Sequence, residues 1–592
     1  MTTNKIKHTK FPTDLKEYSL DQLAGLAEEV RSFLIQSVSK TGGHIGANLG
    51  VIELTIALHH CFDLSKDQLV FDTGHQGYTH KILTGRSEDF KTLNKQDGMS
   101  RFLSRNESKA DLIDASHAGT AISIATGIAS QISADSQSNI AIAFVGDGCL
   151  VEGMSAEGLN FAISGKLPLI IVINDNGMSI PVNVGGVKNL FSGPDWVNKS
   201  QAYFGGLGYN YVSVEDGHNL LELIPAMGLA KDLVGQAPTI IHVKTEKGHG
   251  LEIAKTHPYK MHFSMPFDPV TGDGVAATPS GTTYAVVAGN RLHKLLKEGH
   301  DFTILTPSTP YASGLDECLV DFPSKTIDVG MAEQHALGMA TGLALKGKNV
   351  FVCYQSTFMQ RALDMIIHDI CFMNLPVTIL AVRSGFAGMD SHTHHGIYDI
   401  SFLRGIPNLK IFYPGSSYDL EKIINQRVEN PEGPMVILHP YEQIREDEND
   451  YIDRSKGIDD LEVLFEGDDG YIFSVGNTLE SSIKVRKKLL NNNLKFGLIN
   501  IRWLKPLPTD HLLEIMRSVG RVITTEENVF SGGFGASIAE LITDNGMSTS
   551  LIRSAIDDVF VKPGDKETLS KETMIDPESI FNKIRREWSE LF

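Results

Sequence analysis

Cysteine is scarce and unpatterned in this chain. The five cysteines, Cys61, Cys149, Cys318, Cys353 and Cys371, form no C-x-x-C pair. Such an odd, scattered set argues against a disulfide framework or a cysteine-built zinc site, and reads as reduced thiols in the cytoplasm. Long apolar runs are missing too: none approaches the roughly 18–20 residues that a membrane-spanning helix needs. The first residues, Met1–Asp14, are polar and hold no signal-peptide core. Positive charge is in short supply, with a formal net charge of −19 at pH 7. That balance argues against nucleic acid or an anionic membrane as a partner. It leaves phosphorylated small molecules open, because a local pocket of Arg, Lys or metal overrides the global sign. Short repeats and low-complexity tracts are likewise not seen.

What is present is ordinary globular composition, 42% hydrophobic and 21% charged over 592 residues. A chain of that length exceeds one hydrophobic core and divides into domains. Strand and helix signals alternate in three blocks, predicting three doubly wound α/β domains with parallel or mostly parallel sheets. The expected limits are 1–265, 284–445 and 461–592. A Pro/Gly/Ser/Thr-rich linker (266–283) and a charged linker (446–460) separate them.

The most informative stretch is Ala141-Ile-Ala-Phe-Val-Gly-Asp-Gly-Cys149, followed by Leu169-Ile-Ile-Val-Ile-Asn-Asp-Asn-Gly-Met178. Each half reads as a buried strand entering a turn. Glu152–Ile163 between them has helical periodicity, so the two strands are expected to be parallel. Asp147 and Asn176 then fall at the carboxyl ends of the strands, where open α/β sheets bind ligands. A carboxylate and an amide oxygen suit a hard divalent cation, which also takes phosphate oxygens. Further on, Lys325–His335 reads as a strand running into a helix from Glu333 to about Leu345. A carboxylate in a first helical turn is commonly there for the helix dipole alone.

The G-D-G…N-D-N pattern resembles the diphosphate–metal motif of thiamine diphosphate enzymes. With Gly42-Gly-His44, Asn48-Leu-Gly50, Gly74-His-Gln-Gly-Tyr-Thr-His-Lys81, Gly330–His335, Ser356–Arg361, Gly388-Met-Asp390, Thr393-His-His-Gly396 and Leu504-Lys-Pro-Leu507, nearly the whole chain resembles the 1-deoxy-D-xylulose 5-phosphate synthase family of transketolase-type enzymes. The resemblance implies a transferase: a carboligase of isoprenoid-precursor and thiamine biosynthesis that decarboxylates pyruvate and joins the two-carbon unit to glyceraldehyde 3-phosphate. It implies thiamine diphosphate and Mg²⁺ as cofactors, a homodimer and a cytoplasmic location.

Carried over by position, Asp147, Asn176 and the Met178 carbonyl would hold the metal. His75, Ser116, His117, Ala118, Gly148, Cys149, Asn176 and Leu251 would line the cofactor. Glu333 would bond N1′ of the aminopyrimidine, and Phe358 would stack on that ring. His44, His262, Arg361, Asp390 and His394 would surround the reacting carbons for proton transfer, carboxylate orientation and charge stabilisation. Arg383 would face the acceptor's phosphate. His392, His394 and His395 also raise a zinc site, but the tract has no fourth ligand nearby.

The departures cluster on the acceptor side. Tyr441, in His439-Pro-Tyr-Glu-Gln443, stands where the family has a phosphate-binding Arg, with Arg445 four residues on. Gln355 replaces a Tyr, and Thr256, beside Lys255, replaces a Lys. The segment between about Asn183 and Phe204 is short for the family. Alternative readings are a synthase-like or transketolase-like enzyme with a different aldehyde acceptor, phosphorylated or not, a 2-oxoacid dehydrogenase component, and a cofactor-binding scaffold without turnover.

Overall fold

Strands that are buried on both faces need apolar residues at every position, and helices must cover both sides. Ala141–Gly146 and Leu169–Asp175 have that composition. In the computed structural model, Ile142 and Phe144 enter one hydrophobic cluster while Ala141, Ala143 and Val145 enter another on the opposite face. The structure describes residues 6, 13–275, 282–445, 451 and 457–592. Parts of both expected linkers, 276–281, 446–450 and 452–456, lie outside the described residues. The chain forms two compact units, Met1–Pro279 with Val329–Ala332, and Ser280–Asp328 with Glu333–Phe592.

The first unit holds β1 (Gln68–Phe71), β2 (Ala141–Gly146), β3 (Leu169–Asp175), β4 (Asn210–Val214) and β5 (Thr239–Lys244). Their order is β1-β2-β3-β5-β4, all parallel. The helix after β2, Gly153–Ala162, follows a 3-10 turn, Asp147–Val151. The N-terminal helix, Leu20–Thr41, is closed by a Ser19/Gln22 capping box. The start of the expected first linker is packed: Phe267 is buried, its N–H donates to Ser39 O (2.9 Å), and it bridges to Gly274. The short segment after Asn183 forms two helices, Gly185–Leu190 and Trp196–Leu207.

The second unit carries two sheets. One contains β6 (Phe302–Thr306), β7 (Thr326–Asp328), β8 (Asn349–Gln355), β9 (Val377–Ser384), β10 (Lys410–Phe412) and β11 (Met435–Pro440). The other contains β12 (Glu462–Phe465), β13 (Gly470–Val475), β14 (Phe496–Ile501), β16 (Arg521–Val529) and β17 (Ser550–Ile556). A further strand, β15 (Trp503–Lys505), comes from the C-terminal block yet pairs antiparallel with β10 at the edge of the middle sheet. The orders are β15-β10-β11-β9-β8-β6-β7 and β12-β14-β13-β16-β17. Apart from β15 and β12, every pairing in these sheets is parallel.

Candidate active site

In the first unit, the register Gly146↔Asn174 sets the ends of β2 and β3 side by side. Asp147 follows β2 directly and Asn176 follows β3. Asp147 Oδ2 accepts from Gly177 N–H (2.8 Å) and Asn183 Nδ2 (2.8 Å), and Oδ1 from Gly148 N–H (3.0 Å). Asn176 Oδ1 accepts from Met178 N–H (3.1 Å), which shapes the turn presenting the Met178 carbonyl. A cavity of about 220 Å³ opens here, lined in part by Asp147, Gly148, Asn176, Asn183, Lys244 and Met331.

The electrostatics favour a cation. Burial and the neighbouring Asp175 push the Asp147 carboxyl well above the usual range. Burial also opposes charge on Asp175, but hydrogen bonds from His242 (2.8 Å) and Lys244 hold it below its ordinary value. Two buried carboxylates at neighbouring strand ends repel unless a positive charge joins them. Gly148 leaves a cradle: a Cβ there would lie 2.8 Å from Ser179 Cβ and 3.1 Å from Met331 Cε. Carboxylate, amide oxygen and carbonyl form a hard-donor set, so these residues fit Mg²⁺ and a diphosphate. Among the described residues no group of three His, Cys, Asp or Glu side chains is placed to hold a metal.

Beside this end lie three imidazoles. The His44 ring centroid is 5.5 Å from those of His75 and His262, which are 5.2 Å apart. Asn48 ties the loops together, donating to His44 O (2.8 Å) and His75 O (2.7 Å) and accepting from Tyr78 N–H (2.8 Å). Gly46 permits the close approach of the 260–262 turn, because a Cβ there would fall 1.9 Å from Lys260 O. Burial, then the nearby Lys247, lowers the His75 pKa to about 3, and burial lowers His262 well below its usual value. Both rings are therefore neutral near pH 7, and neither Nδ1 has a hydrogen-bond partner. Lys247 itself is lowered to about 7 by burial, and its ammonium donates to Ser179 O (2.5 Å).

Ser116, His117 and Ala118 lie on a loop fixed by Asp72, which accepts from Gly119 N–H (2.9 Å) and Ala121 N–H (3.0 Å). Cys149 and Leu251 are buried. Burial pushes the Cys149 thiol well up, as suits a packing residue rather than a nucleophile. Lys247 and Asn183 did not stand out from the sequence, whereas Asp175 is the middle residue of the N-D-N motif.

In the second unit, Glu333 opens the helix Glu333–Leu345, and the Tyr354 hydroxyl donates to its carbonyl. Phe358 meets the His394 ring edge-on at 5.5 Å. Thr357 Oγ1 donates to Thr393 O (2.5 Å), and the Ser356 hydroxyl donates to the buried Asp399. His394 Nδ1 pairs with Ser391 Oγ (2.7 Å). Both ring nitrogens of His395 are engaged, Nδ1 by Ala387 N–H (2.9 Å) and Nε2 against Lys562 O (3.1 Å). Arg361 lies on a 3-10 turn, Gln360–Ala362. Arg383 has a left-handed backbone (φ 66°), which aims its guanidinium at Asp390 (2.6 Å) and over the Tyr441 ring, 4.2 Å from the centroid. Tyr441 thus supports Arg383 from one face. Gln355 is buried at the end of β8, and Lys255 pairs with Glu252 (2.8 Å) at the surface.

Residues 6–195 match the family model for 1-deoxy-D-xylulose-5-phosphate synthase. Residues 280–446 match the transketolase pyrimidine-binding domain and 459–580 the transketolase C-terminal domain. The chain is 37% identical to 1-deoxy-D-xylulose-5-phosphate synthase 1 of Geobacter sulfurreducens over 96% of its length and 95% of the relative's. It is 35% identical to 1-deoxy-D-xylulose-5-phosphate synthase of Caldanaerobacter subterraneus subsp. tengcongensis, with 98% of each chain covered. Among solved structures, a transketolase mutant from Pichia stipitis aligns over 96% of this chain and 97% of its own, at 16% identity and a TM-score of 0.45.

Proposed function

We propose that this chain, which belongs to the 1-deoxy-D-xylulose-5-phosphate synthase family, decarboxylates pyruvate and joins the remaining two carbons to glyceraldehyde 3-phosphate. Its cofactors are thiamine diphosphate and Mg²⁺. The observation that carries the reading is the Asp147 carboxyl at a strand end, lining a cavity with Asn176 and raised by burial and then by Asp175. Bound thiamine diphosphate supplies the nucleophilic carbon and accepts the electrons released with carbon dioxide.

The chain's own residues do the rest. Asp147, Asn176 and the Met178 carbonyl hold the cation against the diphosphate. Ser116, His117, Ala118, Gly148, Cys149 and Leu251 line the bound cofactor. Glu333 holds a proton at the pyrimidine N1′, and Phe358 offers that ring an aromatic surface. The neutral His75 and His262 hold or pass a proton at Nδ1, and His44 joins them. Arg361 orients the donor carboxylate, while Asp390 and His394 serve the acceptor carbonyl. Arg383, stacked on Tyr441, binds the acceptor's phosphate. A homodimer is read as the working unit. Its compartment is read as the cytoplasm. Among the described residues no helix is long and apolar enough to cross a membrane.

The test is turnover of pyruvate with glyceraldehyde 3-phosphate in the presence of both cofactors, the product identified by NMR. Formation of 1-deoxy-D-xylulose 5-phosphate is expected. Pyruvate consumption with no carbon–carbon bond formed, on any of a panel of phosphorylated and plain aldehydes, defeats the reading.

A further inference from the structure

The C-terminal sheet has its own switch point. From β13 the chain moves to β14 on one side and to β16 on the other. Open α/β sheets bind ligands between such strands, at their carboxyl ends. Here Asn477 follows β13 and Glu527 lies within β16, and the crevice is filled by the chain itself. Glu527 Oε2 accepts from Phe386 N–H (3.1 Å) and from the Asn477 amide, while Oε1 lies 3.2 Å from the Lys566 ammonium. Lys566 also donates to Asn477 O (3.0 Å) and pairs with Glu442, the neighbour of Tyr441. Gly385 (φ 84°) admits this contact, since a Cβ there would lie 2.4 Å from both Asn477 Nδ2 and Glu527 Oε2.

Three more bonds tie the same segment to the C-terminal block. Gly564 N–H donates to Gly388 O (3.2 Å), Val529 N–H to Ile397 O (2.8 Å), and His395 Nε2 faces Lys562 O (3.1 Å). Asp390 and His394 therefore sit on a span anchored on both sides by residues far away in sequence. Burial pushes the Glu527 carboxyl up to about 8 and lowers the Lys566 amine to about 7.

We propose that Lys566 and Glu527 are positioning residues for acceptor use: through Phe386 and Glu442 they fix the Gly385–Ile397 span and the Tyr441 turn against which Arg383 rests. The proposal rests on the reading that Arg383, Asp390 and His394 meet the acceptor. It gives the C-terminal block a role in the reaction although none of its side chains is assigned to substrate.

The test is steady-state kinetics of the holoenzyme with Lys566→Met, Lys566→Arg and Glu442→Gln. Lys566→Met should raise KM for glyceraldehyde 3-phosphate about fivefold or more, move KM for pyruvate less than twofold, and leave the melting temperature nearly unchanged. Lys566→Arg, which keeps a cation, should recover most of the acceptor KM, and Glu442→Gln should reproduce part of the defect. Equal changes in both KM values, no change in either, or no rescue by Lys566→Arg would overturn the proposal. His394→Ala and Asp390→Ala serve as controls. If both leave turnover intact, the reading of the span fails and the proposal with it. If they cripple turnover while Lys566→Met is silent, the proposal fails alone.

Discussion

At the proposed metal site of the first unit, Asp147 and Asn176 are positioned by neighbouring strand ends and the turns that follow them. Adjacent parallel strands deliver them, and turn amides from Gly148, Gly177 and Met178 bind them. The span carrying Asp390 and His394 in the second unit is anchored otherwise. Phe386 reaches Glu527 across 141 positions of sequence, and Glu442 reaches Lys566 across 124. The cofactor end is thus built from strand ends that the sheet itself dictates. The proposed acceptor end combines short-range bonds, Arg383 to Asp390 and Ser391 to His394, with long-range polar contacts that another block of the chain supplies. Changes at the first should act as all-or-none losses, and changes at the second as graded shifts.

The largest loss is expected from Glu333→Ala. With Glu333 at the pyrimidine N1′, as proposed, its loss should slow exchange of the cofactor's C2 proton for deuterium by about 10²–10⁴, the usual worth of one acid–base group. NMR of quenched samples measures it. A folded variant that exchanges at the wild-type rate removes Glu333 from the site. Next comes Asp147→Ala, which on the proposed reading removes the carboxylate that would hold the cation against the diphosphate. Calorimetry should show thiamine diphosphate binding at least about 100-fold weaker, a cost of roughly 2.7 kcal/mol. EDTA should impose a similar loss on the wild type. Equal affinity with and without metal contradicts the arrangement drawn for Asp147 and Asn176.

That contrast also explains what could be read from sequence. β2 and β3 were legible because strands covered on both faces carry uninterrupted apolar runs. The helix from Glu333 to Leu345 was legible from its start after a short strand. Lys247 was not, because nothing local distinguishes a buried lysine from a solvated one. The edge strand β15 was not, since its partner β10 belongs to another block. The Arg383–Tyr441 stack was hidden because its partners, on β9 and just after β11, are far apart in sequence. Sequence alone presented Tyr441 as a missing phosphate ligand, whereas the structure shows the ring beneath the guanidinium.

A graded effect is expected at that stack. Arg383 already gives one N–H to Asp390 and one face to Tyr441, leaving part of its fork for a phosphate. Tyr441→Arg adds a second set of charged donors, each charged hydrogen bond being worth roughly 1.5–3 kcal/mol. It should raise kcat/KM for glyceraldehyde 3-phosphate about tenfold relative to unphosphorylated glyceraldehyde, with KM for pyruvate unmoved. A wild type that already prefers the phosphate a thousandfold would show that Arg383 needs no second cation.

The smallest effect concerns the carboxyl beneath the same span. Asp399 is buried, accepts from the Ser356 hydroxyl, and its Oδ1 has no hydrogen-bond partner. Burial raises its pKa to about 7, above the roughly 3.9 of an unfolded chain. Between those values the folded protein holds the proton and the unfolded chain has lost it. The contribution of Asp399 to stability is therefore full below about pH 4, declines as pH rises through about 7, and levels off above that. The slope within the window is on the order of 1 kcal/mol per pH unit at most. Asp399→Asn keeps an acceptor for Ser356 but carries no titrating proton. Its melting temperature should therefore gain on that of the wild type as pH rises from 4.5 to 8. Subtracting the two curves removes the other buried carboxyls, such as Glu526, which titrate alike in both proteins. Parallel curves across that range would mean that Asp399 stays ionised in the folded state. The Ser356 contact would then be a charged hydrogen bond, and the acceptor side would be held as firmly by local bonds as the metal end is.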